Sequence, residues 1–203
     1  MKNFLFVSLS LFFGCKSVYK DLKPAEENCF CAEKWIPDFQ KEWYRTRVDV
    51  MGKHISGLLL IKKMDVKTFR FLFTNEAGLK FFDFEISNNR FVIHHIIRQL
   101  DKKAVISTLK GDLELVILNF VERGNCTNFT FKDLVYFGFP QKKEINYLVV
   151  SRDCSSLMWI EKGSKRKSKV RVDRFPGFPL VPDSLSISHQ LFEMNIRMKR
   201  IQP

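Results

Sequence analysis

This chain of 203 residues has no apolar run long enough to cross a bilayer, few histidines and no nucleophile motif. A spanning helix needs roughly 20 consecutive apolar residues, and Phe4 to Phe13 supplies ten. Of the four histidines, His94 and His95 are neighbours, and in a strand neighbours point to opposite faces, so they cannot hold one ion together. His54 and His189 stand alone. The G-x-S-x-G pattern of a nucleophile elbow is absent, and Ser155-Ser156 beside Cys154 reads as a hairpin turn. Asp83 and Glu85 share a strand face, which a solvated sheet surface explains without an acid–base role. Cys29 and Cys31 form C-x-C, not the C-x2-C of a zinc knuckle, with Cys126 and Cys154 far along the chain. These absences lead to an expectation of no metal, no cofactor and no enzyme. Acid is also scarce: 22 Asp and Glu against 34 Lys and Arg leave a formal charge of +12. Such a surface favours anionic partners.

What is present starts with a short hydrophobic segment. "FLFVSLSLFFGC" (4–15) follows Lys2, the layout of a secretory signal peptide. Its Gly14-Cys15 ending resembles the lipobox of bacterial lipoproteins, although Phe12 and Phe13 stand where that pattern prefers Leu and then Ala or Ser. The resemblance implies removal of residues 1–14, loss of no basic residue except Lys2, and a lipidated Cys15 carrying acyl groups such as palmitate. The alternatives are a signal cut elsewhere or a buried N-terminal strand. The polar stretch that follows, with Pro24, reads as a tether over 15–37. Export argues against nucleic acid as the anionic partner.

The four remaining cysteines, Cys29, Cys31, Cys126 and Cys154, suit disulfides in an oxidising compartment. A Cys29–Cys31 ring would be very tight, so pairings that link this segment to Cys126 and Cys154 are expected. Basic residues are scattered except over 162–171, "KGSKRKSKVR". This is either a flexible hairpin loop or a contact with phosphate-rich headgroups through Lys165, Arg166, Lys167 and Lys169.

Strand patterns fill the first half of the domain, at 42–50, 54–63, 66–74, 79–87 and 90–97. Breaks of two to four residues separate them, too short for parallel crossovers, so the spacing predicts an antiparallel meander. Phe69, Phe71 and Phe73 share one face, as do Phe82, Phe84 and Ile86. Helical spacing then takes over along 98–120, with Leu100, Val105, Leu109, Leu113, Val116, Ile117 and Phe120 on one side. Strands resume at 145–152, 156–163 and 169–175, with a weaker one in "TFKDLVYFGF". A proline-rich stretch leads into a last strand with Phe192, Met194, Ile196 and Met198 on one face. The class is α+β, mainly β, in one domain over 38–203.

This arrangement resembles the LolA/LolB superfamily of bacterial envelope proteins, which localise lipoproteins. The resemblance rests on "FTNEAGLKFFDFEI" (73–86), the helix at 99–117 and "FPGFPLVPDSLSISHQLFEMNIRMKRI" (175–201). It implies a strongly curved antiparallel half-barrel with helices covering a concave apolar face. Acyl chains or lipoproteins would bind in the cavity between them, lined by Phe69, Phe71, Phe73, Phe82, Phe84, Met194 and Met198. It also implies anchoring through Cys15 in the cell envelope, at the outer membrane facing the periplasm, with a periplasmic carrier as partner. Two features depart from the family: the 75–78 hairpin is polar where LolB-type proteins insert an apolar residue, and no residue matches the arginine that LolA-type carriers use. The competing reading is an accessory lipoprotein of an envelope complex whose aromatic face is filled core.

Overall fold

Alternation every second residue dominates the sequence, and the chain answers it with one antiparallel sheet of 13 strands. The computed structural model describes residues 19–25, 29–87, 90–122, 125–164, 166–175 and 181–201. Cys15, the 1–14 segment and Lys165 lie outside them. In chain order the elements are β1 (Lys23–Pro24), α1 (Phe30–Glu33), β2 (Lys41–Val50), β3 (Lys53–Asp65), β4 (Thr68–Thr74), β5 (Lys80–Ile86) and β6 (Phe91–Ile96). Then follow α2 (Lys103–Ile117), β7 (Thr127–Phe131), β8 (Leu134–Pro140), β9 (Ile145–Ser151), β10 (Leu157–Gly163), β11 (Ser168–Phe175), β12 (Ser184–His189) and β13 (Met194–Arg200).

Two meanders make the sheet. One is β2 to β6 and the other β7 to β13; they join where β13 pairs with β2, Ile196 opposite Val48. The sheet is open, with β6 at one end of the order and β1, paired to β7, at the other. The link from β6 to β7 therefore runs from one edge of the sheet to the neighbourhood of the opposite edge, and α2 lies in that link. Met51 and Gly52 both take positive φ at the β2–β3 turn, the backbone hand that matches strand twist in a two-residue hairpin.

Three of the expected elements have different bounds in the structure. The helix is shorter than 98–120, and Leu118 ends it in the left-handed region at φ 55°. "TFKDLVYFGF" is not one strand: β7 and β8 form a hairpin that turns at Lys132-Asp133, with Lys132 at φ 53°. The long last strand is likewise two, β12 and β13, separated by residues 190–193.

The stretch read as a tether is, where described, part of the domain. Lys23 and Pro24 pair with Thr130 and Phe129 of β7. Tyr19 stacks at 4.9 Å on Tyr147, in a second apolar cluster with Tyr136, Val149 and Trp159. This cluster explains why β8 and β9 are buried along almost their whole length. The main core covers their other face with Phe137, Leu148 and Val150. Disulfides Cys29–Cys126 and Cys31–Cys154 fasten α1 to the chain before β7 and before β10. They close loops of 97 and 123 residues.

Candidate functional site

Cross-strand register sorts the aromatic face into rows. Ile61, Phe71 and Phe84 lie opposite one another on β3, β4 and β5, as do Leu59, Phe73 and Phe82. The first row is fully buried in the main core. The second row opens onto a cavity of about 410 Å³, within the roughly 300–1,000 Å³ range of ligand pockets. Phe69, one row further along, borders a separate, smaller pocket with Asn119 and Val66. Of the seven residues expected to line a cavity, Phe73, Phe82, Met194 and Met198 do so. Phe69, Phe71 and Phe84 do not. The sheet face is continuous, but the larger void occupies only one end of it; the next row is fully packed, and the smaller pocket lies beyond that row at Phe69.

Three walls surround the void. β12, β13 and β2 supply Ile187, Met194, Ile196, Met198, Val48 and Val50, and β3 adds Ile55 and Leu59. Helix α2 supplies Val105, Leu109 and Leu113, a stripe at spacing four. Val48, Val50, Ile55, Val105 and Leu109 are only half-buried, so the described residues leave this part of the apolar face incompletely covered. Thr46, Thr108 and Asp112 are the polar side chains at its border. Met51 in the β2–β3 turn and Phe192 in the β12–β13 turn form part of the rim and are exposed, with Leu191 beside them. Gly57 shapes the floor: a Cβ there would lie 2.0 Å from the Thr74 carbonyl oxygen, so only glycine allows β3 and β4 to approach so closely.

The sequence had pointed to the helix stripe and the β13 face, but it did not single out Val48, Val50, Ile55, Leu59 or Ile187. The alternation Thr46, Val48, Val50 in β2 was the available signal, since it faces the same way as the paired β13 residues.

The charged groups around the sheet are mostly paired. Asp83 is buried and receives two hydrogen bonds from Arg70, at 2.8 and 3.0 Å. Those bonds hold its carboxyl below the usual range. Glu85 pairs with His94 at 3.1 Å. The two acids on this face are thus engaged by basic residues on neighbouring strands. Within the basic hairpin, Arg166 and Lys167 are exposed. Lys169 is not a free surface charge: its ammonium lies 2.7 Å from Glu144. Next to the cavity, His189 Nε2 lies 3.0 Å from Asp112 Oδ2, both side chains buried. Burial pushes the Asp112 carboxyl upward, against the opposing pull of His189.

Among the described residues there is no metal-holding cluster of His, Cys, Asp and Glu, and no helix long and apolar enough to cross a membrane. No protein-family model and no curated protein matches the sequence. Solved structures do match in fold. A LolA superfamily protein from Nitrosomonas europaea superposes with a TM-score of 0.55 at 9% identity, covering 85% of this chain and 90% of that one. A DUF1329 family protein from Desulfovibrio piger matches at a TM-score of 0.47, 7% identity and coverage of 85% and 88%. An outer membrane lipoprotein-sorting protein domain, described as putative in its own name, from Vibrio parahaemolyticus matches at 0.47, 6% identity and coverage of 87% and 91%. The chain has a LolA/LolB-like fold.

Proposed function

We propose that this protein is an envelope lipoprotein that takes acyl chains, free or attached to lipoproteins, into the cavity between α2 and the sheet. The observation that carries this reading is the unfilled apolar void of about 410 Å³ beside a fully packed core row. Folding leaves half-buried valines, isoleucine and leucine facing it, and an alkyl chain entering it would gain about 0.8 kcal/mol per buried methylene. Ten methylenes would give roughly 8 kcal/mol before the cost of association. Methionines at 194 and 198 add adaptable surface for a flexible chain. In this reading the sheet is a half-barrel, α2 covers its concave apolar face, and transfer is a physical hand-off driven by differential affinity, with no bond made or broken.

The anchor belongs to the same proposal. Cys15 would carry the lipid and hold the domain in the cell envelope, at the outer membrane facing the periplasm, where a periplasmic carrier could deliver cargo. Two disulfides suit an oxidising compartment. Exposed Arg166 and Lys167 would each add about 1 kcal/mol against an anionic surface.

The test is native mass spectrometry of the full chain carrying Cys15→Ser, secreted to the periplasm, followed by lipid extraction. A stoichiometric lipid or acyl-peptide adduct is the expected result. A bare protein that also fails to take up a fluorescent fatty acid would overturn the reading and leave a surface role as an accessory lipoprotein.

A further inference from the structure

The apolar cavity does not end at an apolar wall. A second cleft of about 260 Å³ adjoins it, and the two share Thr108, Asp112 and Phe192. The second cleft is polar, bordered by Lys162, Lys169, His189, Glu144 and Ser107. Phe192 stands at the junction, its ring 4.7 Å from that of His189.

The charged groups of this cleft are not all in contact with a partner. Lys169 is matched by Glu144 at 2.7 Å and His189 by Asp112 at 3.0 Å. Each of these pairs is in direct contact, so neither Glu144 nor Asp112 lies bare in the cleft. Lys162, half-buried, makes no ion pair among the described residues, and the nearby Asp112 carboxylate is already bound to His189. The cleft therefore presents one half-buried ammonium with no carboxylate in ion-pair contact among the described residues.

The backbone is shaped around that lysine. Lys162 lies on the α2 side of β10, in register with Val170. The register then shifts between Lys162 and Gly163, and such a bulge re-aims neighbouring side chains; Lys169 of the bulged stretch borders the same cleft as Lys162. Facing it in mid-helix is Gly111, where a Cβ would stand 2.5 Å from Lys162 Nζ. An interior helix glycine costs up to about 1 kcal/mol relative to alanine. Here it leaves the space that the ammonium occupies.

We propose that the site is built for an amphiphile with an anionic head: the acyl chain lies in the apolar cavity and a phosphate or carboxylate is held at Lys162. This inference rests on the cavity being an acyl site. It goes further by assigning the chemical class of the head and the residue that selects it.

The experiment compares lysophosphatidic acid with the monoacylglycerol of the same chain, by displacement of a fluorescent fatty acid from the full chain carrying Cys15→Ser. The readout is the ratio of the two affinities. A charge-assisted hydrogen bond predicts a ratio of roughly ten or more in favour of the anionic head. Lys162→Gln brings the ratio toward one. So does Gly111→Ala, which displaces the ammonium while favouring the helix, so its thermal midpoint should not fall. A ratio of one in the parent chain, or a ratio that survives both variants, overturns the head assignment while leaving chain uptake intact. Inorganic phosphate that competes as well as lysophosphatidic acid would also overturn it, by placing a free anion there and not a lipid head. If neither amphiphile binds, it is the acyl-site reading that fails.

Discussion

Val105→Asp is the substitution that most sharply separates a ligand cavity from an incompletely packed core. Val105 sits on the α2 stripe that faces the void, and its side chain is half-buried. In the free protein an aspartate there remains hydrated through the opening, and Asp and Val have similar helix propensities. Unfolding in urea should therefore shift by no more than about 1 kcal/mol. Binding is different. The variant loses two methyl contacts with a bound chain, about 1.5 kcal/mol. It must also desolvate a carboxylate against hydrocarbon, at least about 2 kcal/mol even on the lenient end of the scale. Together these predict affinity for a fluorescent fatty acid weakened by several hundredfold, roughly 3.5 kcal/mol. Both quantities come from one preparation: a urea titration and a probe titration. Binding within about threefold of the parent chain would refute the argument that the stripe contacts the ligand.

Phe84→Ala should show the converse, a stability loss of roughly 3–5 kcal/mol in urea, because Phe84 is fully buried in the packed row and does not reach the cavity. Gly57→Ala should lower the unfolding free energy in urea by about 1–3 kcal/mol and weaken probe binding, since its Cβ collides with the Thr74 carbonyl oxygen beside Phe73. Replacing Cys29 and Cys126 together by Ser should cost roughly 3–4 kcal/mol on the chain-entropy model, read by urea unfolding, because the intact Cys31–Cys154 bond already shortens the path between the two positions to about 30 residues. The Arg70 guanidinium holds the Asp83 carboxyl below the ordinary aspartate range, so its stabilising share is present above about pH 4 and lost as pH falls through the lower folded value. Urea midpoints between pH 6 and pH 2 should therefore fall less steeply in Asp83→Asn than in the parent chain, and equal slopes would contradict this.

Periodicity made much of the sheet legible. Five closely spaced strands and an i, i+4 stripe on one helix are local patterns, and each corresponds to an element of the structure. The boundary between packed core and cavity was not legible. Phe71 and Phe73 have the same chemistry, the same strand and the same face; only their rows differ, and rows are set by pairing with distant strands. The β12–β13 break was hidden for another reason. Gln190, Leu191, Phe192 and Glu193 contain no glycine, proline, asparagine or aspartate, and the exposed Leu191 and Phe192 extend the apolar pattern through the turn. A residue that violates turn chemistry at a cavity rim is the kind of exception that functional sites produce. His189 looked isolated because its partner, Asp112, is 77 positions away.

The docking of Tyr19 on the sheet turns the question of a tether into one of mechanics. Only residues 16–18 separate Cys15 from Tyr19, and an extended chain spans at most about 3.6 Å per residue, so the proposed anchor lies within roughly 14 Å of that docking point. Tyr19 rests against Gly163, where a Cβ would come within 2.3 Å of its hydroxyl, at the root of the basic β10–β11 hairpin. Were Cys15 lipidated as proposed, a domain held on so short a leash could not tumble freely above the bilayer. The same few residues would bring one chosen side to the lipid, and Arg166 and Lys167 are on the hairpin whose root Tyr19 touches.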